Sequence, residues 1–566
     1  MKKVIGILLS SMAVFALAAC GGGATPTPVT IIKEVVVEKE VVRTVEVEKI
    51  VEKKVVTTVI VEKILVITPT PAPISDDPIF GGTLKITSQS SIANLDPLYV
   101  AAFVTVHIAS HNYESLFGLD ESLNPQLQLA EKWNVSSDGL TYTMNLRDGL
   151  TFHNGKQVTT DDVVASFGRW LPSQRGKLWS RFASDVAITK IDDSTFEFNF
   201  DQTFGLVLPV LARPAGGVQI WPAPQASKPW NEPMDGWIGT GPYKFEDWEQ
   251  GNRMIFTRFD SYNSRNEPGS FFAGGKNAYL DRIEWLEIPD EETKIAGIET
   301  GEWDIVDYAG LDFFQRLDKN PDIDVMISTP GNQSSITIQS NVFPTDNKLV
   351  RQAIGAAINA EDHMASLGDP ALWMLCPAVF FCGTPLESDV SSEFYNENNP
   401  ERAKELLAQA GYNGEPIVIM NPTDYPQLTP LGFVLKPQLE KAGFNVKMPT
   451  MDWASIVGKL REKDWNMFTN FCASWFCGDP LLHFMVSEGH YMGGNPTLVQ
   501  LQLDFAMEQD TTKQMEIVEE IQRVWYDNQH FVILGQWFPM YPHRTYVKNF
   551  RPTFVPIYYN SWLVAR

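Results

Sequence analysis

The side chains able to do chemistry are few, and they fall into groups. Four of the five cysteines stand as two close pairs, Cys376/Cys382 and Cys472/Cys477. An even set of this kind suits disulfides in an oxidising compartment, with three ways of pairing them. Four thiolates could instead hold zinc, but zinc knuckles usually leave two to four residues between cysteines. Here five and four intervene, a poorer fit. His107 and His111 lie four apart on an expected helix and could share a metal; no third ligand or His-Glu-x-x-His pattern accompanies them. Gly239-Thr-Gly-Pro242 superficially resembles a phosphate loop. No Lys-Ser/Thr follows, and Pro242 removes a backbone donor, so its glycines are assigned to a tight crossover. Asp192-Asp193 is ordinary for an acidic surface. No Gly-x-Ser-x-Gly elbow and no Ser/His/Asp constellation stands out. The expectation is a protein that is not an enzyme and has no cofactor.

The elements that must carry these residues follow from turn chemistry and periodicity. Gly81-Gly82 opens a strand at Thr83-Leu-Lys-Ile-Thr87. Ser136-Ser-Asp-Gly139 and Asp148-Gly149 bracket the alternation Leu140–Arg147, a β-hairpin pattern with one buried face. Thr160 is placed as the cap of a helix with Asp161 and Asp162 in its first turn. A second meander is expected over 185–191 and 194–200. Later the chain alternates helix and strand. Glu291–Thr300 reads as a helix stopped by Gly301, with 303–306 as the next strand. Asn399-Pro400-Glu401 starts a helix that ends at Gly411. The expected sequel is a strand at 416–420, a helix at 431–441 kinked by Pro437, and a strand at 445–448. This is α/β architecture in at least two lobes.

The chain has 566 residues and a net charge of −24. Lys2 and Lys3 precede an apolar run from Val4 to Ala16, too short for a membrane helix, which ends at Leu17-Ala-Ala-Cys20. That is a secretory signal, and Leu-Ala-Ala-Cys resembles the bacterial lipobox, in which the cysteine is acylated. Residues 1–19 are therefore read as signal peptide and Cys20 as the lipidation site. Residues 20–78 are read as tether. Within it, 29–67 is nearly all Val, Ile, Glu, Lys and Thr, a stalk that could be coiled coil, β-rich or disordered. Thr68-Pro-Thr-Pro-Ala-Pro73 then makes a stiff linker. Between residues 30 and 66 seven Glu balance seven Lys/Arg, so the negative charge sits in the body. An acidic body argues against nucleic acid and against anionic lipid surfaces as partners.

Several motifs then occur in order. They are Ala130-Glu-Lys-Trp with Ser137-Asp-Gly-Leu-Thr-Tyr-Thr143 and Leu146-Arg-Asp-Gly149, then Phe152-His-Asn-Gly-Lys156 with Thr159-Thr-Asp-Asp-Val-Val164. Gly239-Thr-Gly-Pro-Tyr-Lys-Phe245 follows, then Val350-Arg-Gln-Ala-Ile354 and Pro400-Glu-Arg-Ala-Lys-Glu-Leu-Leu-Ala-Gln-Ala-Gly-Tyr412. Together they resemble the extracellular solute-binding proteins of family 5, the dipeptide, oligopeptide and nickel-binding proteins of ABC importers, over 79–566. The resemblance implies a two-lobed periplasmic-binding-protein clamshell of the large class, with an extra β-rich subdomain. Lobe I would comprise 79–336, with the subdomain at about 121–235. Lobe II would span 337–515, and 516–566 would return to lobe I. A solute, peptide by family default, would be enclosed by hinge closure and handed to the permease subunits. The body is expected to be monomeric, held outside the cell membrane by its lipid alone. The alternatives are the same role for an oligosaccharide or other small organic solute, or a membrane-tethered sensor or chaperone built on the same clamshell.

The family's peptide binders hold the ligand ammonium with an aspartate just ahead of a Gly-Asp-Pro turn. Here the turn is Gly478-Asp479-Pro480, and the anchor position holds Phe476. The loop after the 416–420 strand, Asn421-Pro-Thr-Asp-Tyr-Pro426, lacks the arginine that some members use. A buried charge needs a partner, so Asp424 becomes the substitute anchor. Trp475, Phe476 and Tyr425, with Trp373 and Phe381, suggest stacking on an apolar, aromatic or sugar-like ligand. Asn421, Asp479 and Gln89 complete the expected site. The bland reading of these aromatics is core or interlobe packing.

Overall fold

A computed structural model of the chain describes residues 77–564, apart from 89, 91, 93, 101, 174–175, 177–178, 181–186, 215, 461, 463, 479, 482, 484–494 and 553–554. The expected signal peptide, Cys20, the stalk, Gln89 and Asp479 lie outside the described residues. Among those described, no helix is long and apolar enough to cross a membrane.

Two seven-stranded sheets form the frame. In the first, Thr83–Thr87 leaves a turn in which Gly81 and Gly82 both have positive φ. It runs parallel to Arg282–Leu286 and Ile305–Val306, and Leu84 and Ile86 are wholly buried. Antiparallel strands complete this sheet, with Met540–Arg544 seated between Ile305–Val306 and Ile323–Ile327. The second sheet is centred on Asn332–Ile338, which lies between Met467–Ala473 and Phe531–Trp537. Its parallel edge is Pro416–Pro422 with Asn445–Lys447, the product of a strand–helix–strand unit. Helix Pro400–Ala410 has the expected ends, since Asn399 Oδ1 accepts the Arg402 N–H and Gly411 takes φ 70°. Helix Thr429–Lys441 begins two residues earlier than expected and keeps Pro437 inside it.

A separate four-stranded antiparallel sheet is built from Ala130–Val135, Thr141–Leu146, Thr195–Asn199 and Ala187–Lys190. The period-2 pattern decides its faces. Tyr142, Met144, Phe196 and Phe198 are buried, while Thr143 donates to Glu197 and Asn145 to Thr195 on the other side. The following helix, Thr160–Trp170, is capped one residue ahead of the expected position. The Thr159 N–H donates to Asp162 Oδ2, and Thr160 donates instead to the Asp192 carbonyl. Asp192 is a turn residue whose Oδ1 accepts the Ser194 and Thr195 N–H groups.

The chain passes between the two large sheets twice. Residues 328–331 join Ile323–Ile327 to Asn332–Ile338, and 538–539 join Phe531–Trp537 to Met540–Arg544. The crossings lie side by side, with the Ser328 N–H donating to the Pro539 carbonyl. The lobe borders expected from sequence, 337 and 516, stand beside crossings of the chain at 328–331 and 538–539. The later crossing reflects pairing, because helix Thr511–Asn528 packs on Pro496–Met507 and its strand 531–537 is zipped to 332–338. Gly331 sits in the first crossing at φ 79°, and a Cβ there would come within 2.4 Å of the Trp537 carbonyl oxygen. Only glycine accommodates both the backbone angle and that approach.

A second close approach ties the flank of the four-stranded sheet to the connector after Pro496–Met507. The Gly205 N–H donates to the Ala506 carbonyl at 2.9 Å, and a Cβ on Gly205 would lie 1.8 Å from the Glu508 carbonyl oxygen. The Gly239-Thr-Gly241 segment does serve a tight crossing. Gly241 N–H donates to the Asn112 carbonyl, and a Cβ on Gly239 would sit 1.8 Å from that oxygen.

Candidate functional site

The two crossings and the strand ends beside them enclose a cavity of about 140 Å³. From the first sheet come Tyr308, two residues past the carboxyl end of strand Ile305–Val306, and Tyr541. Phe103, at the start of helix Phe103–Asn112, stands beside Tyr308 with ring centroids 5.9 Å apart. Loops beyond the carboxyl ends of parallel strands are where open α/β sheets hold ligands. From the second sheet come Phe471 and Ala473 of strand Met467–Ala473, and Tyr425 of the loop after Pro416–Pro422. Ser328, Gly331, Asn332 and Pro539 of the crossings close the back.

The wall is aromatic and neutral. Tyr308 meets Trp537 and Tyr541 edge-on, and Tyr425 packs against Phe471 and Trp453 at 5.7 and 5.5 Å. Asn332 Nδ2 donates to Tyr308 Oη at 2.8 Å. Burial raises the phenol pKa of Tyr308 and Tyr425, so both keep their protons at neutral pH. Ser328 Oγ is buried and has no partner among the described residues, which leaves it as a polar handle on the cavity. None of the described lining side chains carries a formal charge. Behind Phe103, Asp307 Oδ2 meets His107 Nδ1 at 3.0 Å in a fully buried pair.

The residues expected from sequence are distributed unevenly. Tyr425 lines the cavity. Trp475 and Phe476 lie in the turn Ser474–Cys477 directly after Ala473; Phe476 is half-buried against the core that reaches the four-stranded sheet, and only the backbone of Trp475 is described. Asp424 is exposed, and its Oδ1 accepts the Trp453 N–H at 2.8 Å, which starts helix Trp453–Lys459. Asn421 is fully buried, with Nδ2 donating to the Thr429 carbonyl. Trp373 sits on an edge strand opposite Trp537, its indole N–H donating to the Gly368 carbonyl. Phe381 is fully buried in a loop at φ 70°. Tyr425 is thus brought to the cavity, while Asn421, Asp424, Trp373 and Phe381 are held by the scaffold.

Phe103, Tyr308, Ser328, Asn332, Phe471 and Tyr541 were not singled out by sequence. A signal existed for two of them: Ser328-Thr-Pro-Gly331 is turn chemistry between two apolar strands, and Tyr308 follows the strand at 303–306. The histidine pair holds structure rather than a metal-like arrangement. His111 Nε2 accepts the Tyr558 N–H at 2.9 Å and the ring stacks on Tyr558; burial lowers its pKa well below the ordinary histidine range, so it is neutral. Both cysteine pairs close locally, Cys376–Cys382 and Cys472–Cys477, each with Cα atoms 5.9 Å apart.

Known proteins share this architecture. A probable peptide ABC transporter periplasmic-binding protein of Sinorhizobium fredii, y4tO, is 28% identical over 498 residues, covering 84% of this chain and 93% of the relative. The glutathione-binding protein GsiB of Escherichia coli is 27% identical over 383 residues, covering 66% of this chain and 70% of GsiB. Among solved structures, the ABC transporter substrate-binding protein CtaP of Listeria monocytogenes superposes with a TM-score of 0.74 at 20% identity, covering 86% of this chain and all of CtaP. The fold is thus the periplasmic-binding-protein clamshell, built here on the two large sheets. The family model for bacterial extracellular solute-binding proteins, family 5, matches residues 124–492. With the two-crossing frame and the interlobe cavity already in place, the conclusion is that this chain belongs to the bacterial extracellular solute-binding proteins of family 5.

Proposed function

We propose that the chain is the extracytoplasmic substrate-binding component of an ABC importer, enclosing a peptide-like solute between its lobes and presenting it to the permease. The observation that carries this is the cavity at the crossings, whose walls come from both sheets, so that a bound solute would be gripped only when the lobes close. The peptide-transport relative aligns along nearly its whole length, which supports the same class of cargo. The Lys2-Lys3 and Leu17-Ala-Ala-Cys20 segment supports export and lipid anchoring at Cys20, with the body outside the membrane and joined to it by the tether. Binding rather than turnover is the role.

The neutral lining favours a second cargo class, an oligosaccharide or another uncharged organic solute, because no described wall residue offers a counter-charge to an ammonium or carboxylate. Mass spectrometry of small molecules released from natively purified protein separates the two. Co-purified peptides support the first reading; a sugar or other neutral solute replaces it with the second. Hydrolysis of the released molecule by the purified protein would overturn both.

A further inference from the structure

Two disulfide loops converge on the first crossing. Loop 376–382 is almost wholly buried, with Cys376 and Phe381 at 0% exposure and Cys382 at 8%. It is joined to the crossing through two buried glutamines that face each other across strands Asn332–Ile338 and Phe531–Trp537. Gln536 Oε1 accepts the Cys382 N–H at 2.6 Å, and its Nε2 donates to the Pro330 carbonyl at 2.6 Å. Gln333 Nε2 donates to the Ala378 carbonyl inside the same loop at 2.8 Å. The other loop, 472–477, reaches the crossing from the opposite side. Cys472 stands opposite Gln333 in the sheet, and the Ser474 N–H donates to the Gly331 carbonyl at 3.2 Å. The Pro330 carbonyl, in the segment that joins the two sheets, is therefore tied to one cross-linked loop through Gln536, and the Gly331 carbonyl is held directly by the other loop.

The geometry points to Gln536, Gln333 and the Cys376–Cys382 and Cys472–Cys477 cross-links as positioning residues of the hinge, which fix the 328–331 crossing and so set how readily the lobes open. The physical reason is entropic and local. Each disulfide keeps a short loop in one shape, so its hydrogen-bonding group meets the crossing without first being ordered. A buried amide that both donates and accepts transmits that order only while both bonds are made. The same ring of contacts borders the cavity, since Gly331, Asn332 and Ala473 line it. Loss of either loop would loosen the cavity back and the hinge together. This rests on the clamshell fold and not on the identity of the cargo.

The test needs no ligand. Amide hydrogen exchange by mass spectrometry is compared for the wild type, Cys376→Ala/Cys382→Ala, Cys472→Ala/Cys477→Ala and Gln536→Leu. The expected result is exchange at least about tenfold faster in peptides covering 328–338 and 531–541, with 141–146 and 195–199 of the four-stranded sheet within about twofold of wild type. Hinge peptides that stay within twofold in every folded variant overturn the proposal, as does an equal rise in all peptides, which would mean general destabilisation. Gln536→Leu keeps both disulfides and decides the matter if a cysteine pair cannot be replaced without loss of folding. Failure here would leave the proposed transport role untouched, because that role is read by released cargo.

Discussion

Replacing Gly205 by alanine should hold the lobes apart without unfolding either. The added Cβ would sit 1.8 Å from the Glu508 carbonyl oxygen and 2.7 Å from its carbon, whereas such contacts do not occur under 3.0 Å. Gly205 does not have a positive φ, so alanine fits its backbone and the whole effect is steric. The two segments must part by more than an ångström, which breaks the 2.9 Å bond from the Gly205 N–H to the Ala506 carbonyl. The lost bond costs about 1 kcal/mol, and the contacts that separate with it add roughly 1–2 kcal/mol. Residues 204–206 precede the first crossing and 505–508 lie between the two, so the contact ties together the chain segments that the crossings join, and rotation about the crossings would relieve the clash. A closed state destabilised by about 2–3 kcal/mol weakens a ligand that needs closure by roughly 30- to 150-fold. Small-angle scattering should show a larger radius of gyration for Gly205→Ala in the absence of ligand, and exchange should quicken at 203–207 and 505–509. The melting temperature should shift by no more than a few degrees. An unchanged scattering profile with unchanged exchange at both segments would refute the reasoning.

Other outcomes follow from single contacts. Tyr425→Ala should weaken the co-purified cargo by about 1–2 kcal/mol in titration calorimetry, as an aromatic anchor lost from the cavity wall; the same substitution at Trp373, held at a sheet edge, should leave affinity within twofold. Asp96 and Arg169 form a fully buried pair at 2.6 Å, and Asp96→Asn should cost about 3–5 kcal/mol of unfolding free energy by denaturant titration; a loss under 1 kcal/mol would show that the pair is replaceable. Burial, the largest cause in each case, lowers the imidazoles of His153, His363 and His530 to about 4. The unfolded chain takes up protons near pH 6.5 and the folded one only near 4, so stability is full above 6.5 and falls as pH drops through that window. The slope reaches up to about 1.4 kcal/mol per pH unit for each histidine. Calorimetric scans between pH 7 and 4 that show a constant melting temperature would contradict this.

Much of the frame was legible from residues alone. Asn399-Pro400 and Gly411 mark helix ends through backbone rules that need no tertiary context, and the Thr/Phe/Glu/Phe alternation at 195–198 could form only a one-sided strand. Nothing local in Thr511–Asn528 says which sheet its following strand will join; its pairing with Asn332–Ile338 is long-range. The site was least legible. Asp424 and Asn421 look like ligand groups by type, yet one accepts the first N–H of a helix that Asp452 caps and the other fastens its own loop to Thr429. Conversely, Tyr308, Asn332 and Tyr541 are distant in sequence and meet only because the chain crosses twice between sheets. A cavity made by that long-range pairing leaves no spacing pattern to read.

The placement of Met540–Arg544 between Ile305–Val306 and Ile323–Ile327 has a further consequence for how the molecule is made. The first sheet cannot be completed from the first 330 residues, however early they emerge, because its missing inner strand lies near the end of the chain. A polypeptide delivered N-terminus first must keep Ile305–Val306 and Ile323–Ile327 unpaired along that edge while some 200 further residues arrive and the inserted sheet forms. Pairing over such a separation is slow, and an open apolar strand edge invites pairing with other chains. The interval before the last strand docks is therefore when this protein most needs protection from its own kind.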